Sequence, residues 1–385
     1  MKLNSVKRTL LISAVAGLAG MIFPQFCLNA AQPSGLLETI HRHVMLTSTI
    51  SDTGDSNPYA VIVSPVSIGK IQAGDVLVDN FNNISNLQGT GSSIIDYNPS
   101  TKKETLFAKV PQNLPQCPGG VGMSAAMTML KTGWVIVGSA PSTDGTTQTL
   151  GRGGLLVFDP NGNLVDVWAG PNIACPWGNM AMIDNGSTAI IFVSMAGFDV
   201  TPPSIHDPKT GFPVVVNKAT VLRIELSIPT GKAPVITSET VIANGLGERA
   251  DRGAFLIGPT GLALGTNGAL YVSDALGNRI ASIPDAALRK TSAGVGTTVT
   301  KDGLLKRPLS LALTSTGHLL ACNAQNGEVV EIDPKTGEQL YAQWIDTDAA
   351  QSPPGNGDLF GMAIKQDGSG FYYVEDDMNT LMEAR

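Results

Sequence analysis

Along most of the chain, short apolar runs alternate with turn residues at a spacing too tight for helices. Three segments superpose on one another: 261–274, 310–323 and 361–376. Each reads as an apolar strand, a turn carrying Asn267-Gly268, Thr316-Gly317 or Asp367-Gly368, and a second strand ending on Asp274, Asn323 or Asp376. Glycine tolerates the positive φ of such tight turns, so these are hairpins. The first two continue into third strands at 279–283 and 328–332, and the second adds a turn at 333–338 and a fourth strand through Trp344. Four antiparallel strands in series make one propeller blade, and repetition of the unit is the signature of a propeller. The same unit recurs at 59–110, 122–169 and 178–243, which gives six blades. The last stops after three strands at Arg385. Residues 40–50, with Val44, Leu46 and Thr49 suited to a strand, are predicted to supply its missing outer strand. That closure pairs two sheet edges that would otherwise lie open. Beyond one helical turn expected at 285–290, no helix is predicted. The fold class is therefore all-β, a six-bladed β-propeller whose last blade is closed by an N-terminal strand.

The pattern Gly261-Leu262-Ala263, Asn267-Gly268, Leu270-Tyr271-Val272-Ser273-Asp274, Asn278-Arg279-Ile280 resembles the NHL-repeat and SMP-30/gluconolactonase-like group of six-bladed propellers. The likeness is close over one blade and fair over two more. It implies architecture, since propellers of this kind host unrelated activities.

Composition changes the picture at the N-terminus. Lys2, Lys7 and Arg8 precede an apolar run from Thr9 to Phe23, and Leu28-Asn29-Ala30-Ala31 offers small residues for cleavage. Residues 1–31 read as a secretory signal peptide, leaving 32–385 as a single propeller domain. The expected location is exported, periplasmic or extracellular, in a bacterial cell envelope. No later run of 18 apolar residues exists, so no transmembrane segment is expected after signal cleavage. Forty-three Gly, 24 Pro and 15% charged residues suit a chain of tight turns. A net charge of -7 argues against nucleic acid and anionic membrane surfaces as partners.

Candidate chemistry gathers where second strands end: Asn80, Ser139, Met195, Asp274, Asn323 and Asp376. Asn80, Asp274, Asn323 and Asp376 offer oxygen ligands to a divalent cation such as Ca²⁺ or to a polar ligand. The same residue types also clamp their own turn backbone. Long connections at 81–91, 140–153, 196–218, 244–259 and 346–359 are expected on one face, around a lidded polar pocket. They bring in His206 and Arg252. Cys117 and Cys175 occupy matching positions in adjacent blades and could pair as a disulfide in an oxidising compartment.

The resemblance implies, for metal-dependent lactonases, Glu, Asn and Asp ligands at the starts of inner strands. Those starts here carry Tyr59, Gly122, Trp177-Gly178-Asn179, Gly261, Ser310 and Phe360-Gly361, so only Asn179 matches and no carboxylate does. No Walker loop, Gly-x-Ser-x-Gly elbow or haem-attachment motif occurs. Two readings follow. One is a binding module that recognises a protein, peptide or glycan through its loop-decorated channel face. The other is a divergent metal-dependent hydrolase or lyase, lactonase-like, with a cation held by Asn80, Asp274, Asn323 and Asp376.

Overall fold

The computed structural model describes residues 35–200, 206, 208–209, 211, 213–346, 350–352, 356–357 and 359–385. The expected signal peptide lies outside them. Six antiparallel sheets follow in chain order. Blade 1 comprises Ser56–Val63, Val76–Asn82, Ser93–Asn98 and Lys103–Lys109; blade 2 comprises Met123–Met129, Val135–Ser139, Gly154–Phe158 and Leu164–Trp168. Blade 3 holds Ala181–Asp184, Thr188–Met195, Val216–Ser227 and Val235–Asp251, with Phe255–Ile257 added as a fifth strand. Blade 4 is Pro259–Leu264, Leu270–Asp274, Arg279–Ile283 and Thr297–Lys301. Blade 5 is Pro308–Leu313, Leu319–Asn323, Glu328–Ile332 and Gln339–Trp344.

Blade 6 takes Met362–Ile364, Phe371–Glu375 and Thr380–Ala384 from the C-terminal end, and His43–Ser48 pairs outside them as the fourth strand. Its register runs from His43 opposite Ala384 to Ser48 opposite Thr380. This is the predicted ring closure. The only α-helical turn among the described residues is Leu36–Thr39, ahead of that strand, whereas 285–290 forms turns and no helix. Buried Glu331 fixes the new helix: its two carboxylate oxygens accept the backbone N–H groups of Leu36 and Leu37, each at 2.9 Å. A helix start leaves such donors without intrahelical partners, and a carboxylate satisfies them.

Apolar faces of neighbouring blades pack against each other, as where Leu77 and Ile94 of blade 1 join Met127, Val137 and Leu156 of blade 2 in one buried cluster. Near the axis, glycine lets backbones approach more closely than any side chain would allow. A Cβ on Gly178 would lie 1.6 Å from the carbonyl oxygen of Thr260, and one on Gly261 2.4 Å from that of Leu309. A serine on each second strand ties the same junction. Ser194 accepts from Gly178 N and donates to Thr260 O, while Ser273 accepts from Gly261 N and donates to Leu309 O. Blade 3 thus joins blade 4 as blade 4 joins blade 5.

Candidate functional site: a polar depression over a closed axis

The starts of the inner strands carry aromatic rings, and these close the axis at that end. Tyr59 stacks on Phe360 with centroids 4.0 Å apart and on Phe81 at 4.4 Å. Trp177 meets Tyr59 edge-on at 5.9 Å, and Phe255 meets Phe81 at 5.3 Å. All five are buried, in a cluster that also takes in Leu309 and Ile257. Phe255 enters it from the added strand of blade 3, with φ at 63°, a left-handed conformation uncommon for a bulky residue. The connection expected at 244–259 is therefore mostly strand, and its turn delivers an apolar plug instead of a polar lid.

Asn179 lies beneath Trp177 and is spent as a crossbar. Its Nδ2 donates to Leu262 O at 2.9 Å and Leu311 O at 3.0 Å, and its Oδ1 accepts from Leu311 N and Ser310 Oγ. The inner-strand ends therefore do not suit a divalent cation: rings replace carboxylates, and the single carboxamide oxygen is committed. Among the described residues no group of three His, Cys, Asp or Glu side chains is placed to hold a metal ion.

The second-strand termini divide. Asn80 is buried, and its Nδ2 donates to Thr49 O at 2.9 Å, tying the closing segment to blade 1. Asp274 accepts from Gly277 N at 3.0 Å and Arg279 Nε at 2.8 Å. Asn323 accepts from Lys306 N and donates to Leu304 O, both at 2.9 Å. These three clamp turns and blade junctions through those bonds. His206 bridges to Pro213 and lines neither depression described below.

Cys117 and Cys175 are buried free thiols, which corrects the expected disulfide. Residues 151–153 bind both loops, with Gly153 N donating to Pro118 O at 2.8 Å and Cys175 N donating to Arg152 O at 2.7 Å. Cys175 Sγ itself donates to Gly151 O at 3.2 Å. Burial raises the pKa of both thiols, so neither is poised as a thiolate nucleophile.

Asp376 and Arg252 do come together. Both line a depression of about 690 Å³ with Asn57, Asn82, Asn86 and Gln88. It is built from the 81–91 loop, the 251–254 turn, residues 356–357 and the 376–379 turn. Gln88 Nε2 donates to Gly253 O at 2.7 Å, and Asn57 N donates to Asn379 Oδ1 at 2.6 Å, so its walls are cross-linked. A second depression of about 680 Å³ lies between blades 1 and 2, and Leu87 borders both. The 142–149 loop stands beside them. Asp144 organises it by accepting from Thr149 Oγ1, Thr146 Oγ1 and Thr146 N, which lowers its own pKa to about 2. Asn82, Asn83 and Asn86 make 81–91 rich in Asn, but nothing local in the sequence marks Asn57 or Asn82 as part of this wall. They sit at strand residues whose exposure only the ring closure decides.

No protein-family model matches the chain, and no curated protein matches it. Among solved structures it is similar to a gluconolactonase from Xanthomonas campestris, at 12% identity over 89% of this chain and 88% of that one, with a TM-score of 0.54. A putative oxidoreductase (glucose dehydrogenase) from Thermus thermophilus gives 13% identity, 89% and 99% coverage and a TM-score of 0.53. The calcium-binding protein regucalcin from Agrobacterium tumefaciens gives 11% identity, 88% and 93% coverage and a TM-score of 0.50. At these identities the shared property is the six-bladed fold, as the sequence resemblance implied.

Proposed function

We propose that this protein is an exported, non-catalytic binding module whose ligand seats in the depression lined by Asn57, Asn82, Arg252 and Asp376. The observation that carries this reading is the aromatic plug. It places apolar rings at the inner-strand starts and leaves the hydrogen-bonding groups on the loops above. Pockets of several hundred Å³ with convergent polar groups are the usual seats of specific ligands. Among the described residues no helix is long and apolar enough to cross a membrane.

Screening the mature protein against peptide and glycan panels tests the reading. A bound species is expected to be recovered chemically unchanged and to lose at least about tenfold in affinity with Arg252→Glu, whose reversed charge alters the depression wall. A binder that is cleaved or isomerised, or that ignores Arg252→Glu, would overturn it.

The second reading, a lactonase-like hydrolase, is favoured by the similarity to a gluconolactonase. It needs a cation or nucleophile at the axis, and the residues there do not fit one. A lactone hydrolysis assay with and without EDTA separates the two readings, because the binding module predicts no turnover in either condition.

A further inference from the structure

A separate pocket lies at the seam where the ring closes. In blade 6, Tyr372 stands opposite Glu383, and Glu383 stands opposite Val44 of the closing strand, so these three side chains share one face of the sheet. That face packs on blade 1, where Tyr372 and Leu46 join Tyr97 in one cluster. The turn after Asn98, closed by Lys102 N donating to Asn98 O at 2.8 Å, brings Lys102 to the same place. Together they enclose a pocket of about 240 Å³. Tyr372 lies near the start of the second strand of blade 6, whereas Asp376 follows its end, so this pocket is at the opposite end of the blade from the polar depression.

Its polar groups are mainly donors. Tyr97 is 2% and Tyr372 6% exposed. Neither hydroxyl meets a hydrogen-bonding partner among the described residues, yet neither oxygen is sealed from solvent, so each opens into the space that its ring lines. Burial, followed by the Glu383 charge, raises the pKa of both phenols, that of Tyr372 to about 12, so both stay protonated. Lys102 and Arg385 add two cations. Among the described residues Glu383 is the one carboxylate side chain of the wall, and it is committed. Its Oε1 accepts from Lys365 Nζ at 2.7 Å, and its Oε2 pairs with Arg385 Nη1 at 3.2 Å. The main-chain oxygen of Arg385 is taken by the closing segment, accepting from His41 N at 3.1 Å and Arg42 N at 2.9 Å. Val44, Leu46 and Pro99 form the apolar part of the wall. Phenol and cationic donors beside aliphatic carbon match an anion that carries a short carbon chain. A neutral polyol would leave the cations without a counter-charge, and a bare inorganic anion would leave the aliphatic wall uncovered.

We propose that this seam pocket binds a small aliphatic carboxylate, whose oxygens accept from Tyr97 and Tyr372 beside Lys102 and Arg385 and whose carbon chain lies along Val44 and Leu46. The ligand then touches the closing strand, the last strand and blade 1 at once, so its binding stabilises the closed ring by mass action.

Calorimetry of the protein with butyrate and with butyramide, its uncharged analogue, at fixed ionic strength tests this. Saturable butyrate binding is expected, with slower hydrogen exchange along His43–Ser48 in its presence. Butyramide should bind at least about tenfold more weakly, because it offers the donors no charge. The double substitution Tyr97→Phe and Tyr372→Phe keeps both rings in the core and removes only the hydroxyls. It should weaken butyrate binding at least about tenfold. Tyr271→Phe in blade 4, whose hydroxyl accepts from Asn267 Nδ2, should leave it unchanged. A circular dichroism melt without ligand checks that each variant is folded, and the butyramide and exchange readouts need no variant. Absence of saturable butyrate binding, equal binding of butyramide, or butyrate binding that the double variant retains would overturn the proposal. Phosphate binding that the double variant loses, with no butyrate binding, would overturn the carboxylate class.

Discussion

The buried carboxyl of Asp96 lies against Asp75, and burial, followed by the Asp75 charge, raises its pKa to about 7. The folded chain therefore holds a proton that the unfolded chain releases near pH 4. By linkage, this group's contribution falls as pH rises from about 4 through 7. Asp79 and Glu248, both buried and both raised to about 8 chiefly by desolvation, act with the same sign. Stability is thus expected to decline from pH 5 toward pH 9. Asp96→Asn keeps a donor toward Asp75 without the charge. Urea unfolding should show the variant more stable than wild type by roughly 1–3 kcal/mol at pH 8.5 and little changed at pH 5. Equal curves at pH 8.5 would mean that the pair does not share a proton. Single residues were the least legible level of the sequence. The clamp role of Asp274 was readable because Gly277 and Arg279 stand beside it in the chain, whereas the partners of Asn80 and Asn323 belong to other segments.

At the level of elements, the junction glycines and the N-terminal strap carry the load. Gly178→Ala would drive a methyl group into the Thr260 carbonyl, at a cost of about 3 kcal/mol in chemical denaturation. Gly170→Ala, with nothing within 4 Å of the added carbon, should change stability by less than about 0.5 kcal/mol. Glu331→Ala removes the acceptor for Leu36 and Leu37. Hydrogen exchange should then quicken at those amides and along His43–Ser48, with a loss of roughly 2 kcal/mol. Unchanged exchange would show that strand pairing alone holds the segment.

Strands with a hairpin glycine and an apolar run were legible because their signals are local. The outer strand Thr297–Lys301 was not, since its half-exposed Thr and Lys residues carry no apolar run. Phe255–Ile257 escaped because its pairing depends on a tertiary plug and on a left-handed Phe255.

For the whole molecule, six repeats and a missing last strand were enough to anticipate the ring and its closure. What the repeat conceals is the end of the axis. Six equivalent positions invite a converging ligand set, yet three of the inner-strand starts carry Tyr59, Trp177 and Phe360, which pack against one another. The polar depressions lie on loops of differing length, where the repeat gives no information. Elemental analysis of the protein, purified without chelator and melted with and without EDTA, tests this most directly. Far less than one equivalent of Ca²⁺, Zn²⁺ or Mg²⁺ and an unchanged melting temperature are predicted, because a specifically bound ion would raise the melting point by mass action. A near-stoichiometric cation that is lost with Asn179→Ala would contradict the closed axis and return the protein to metal-dependent chemistry.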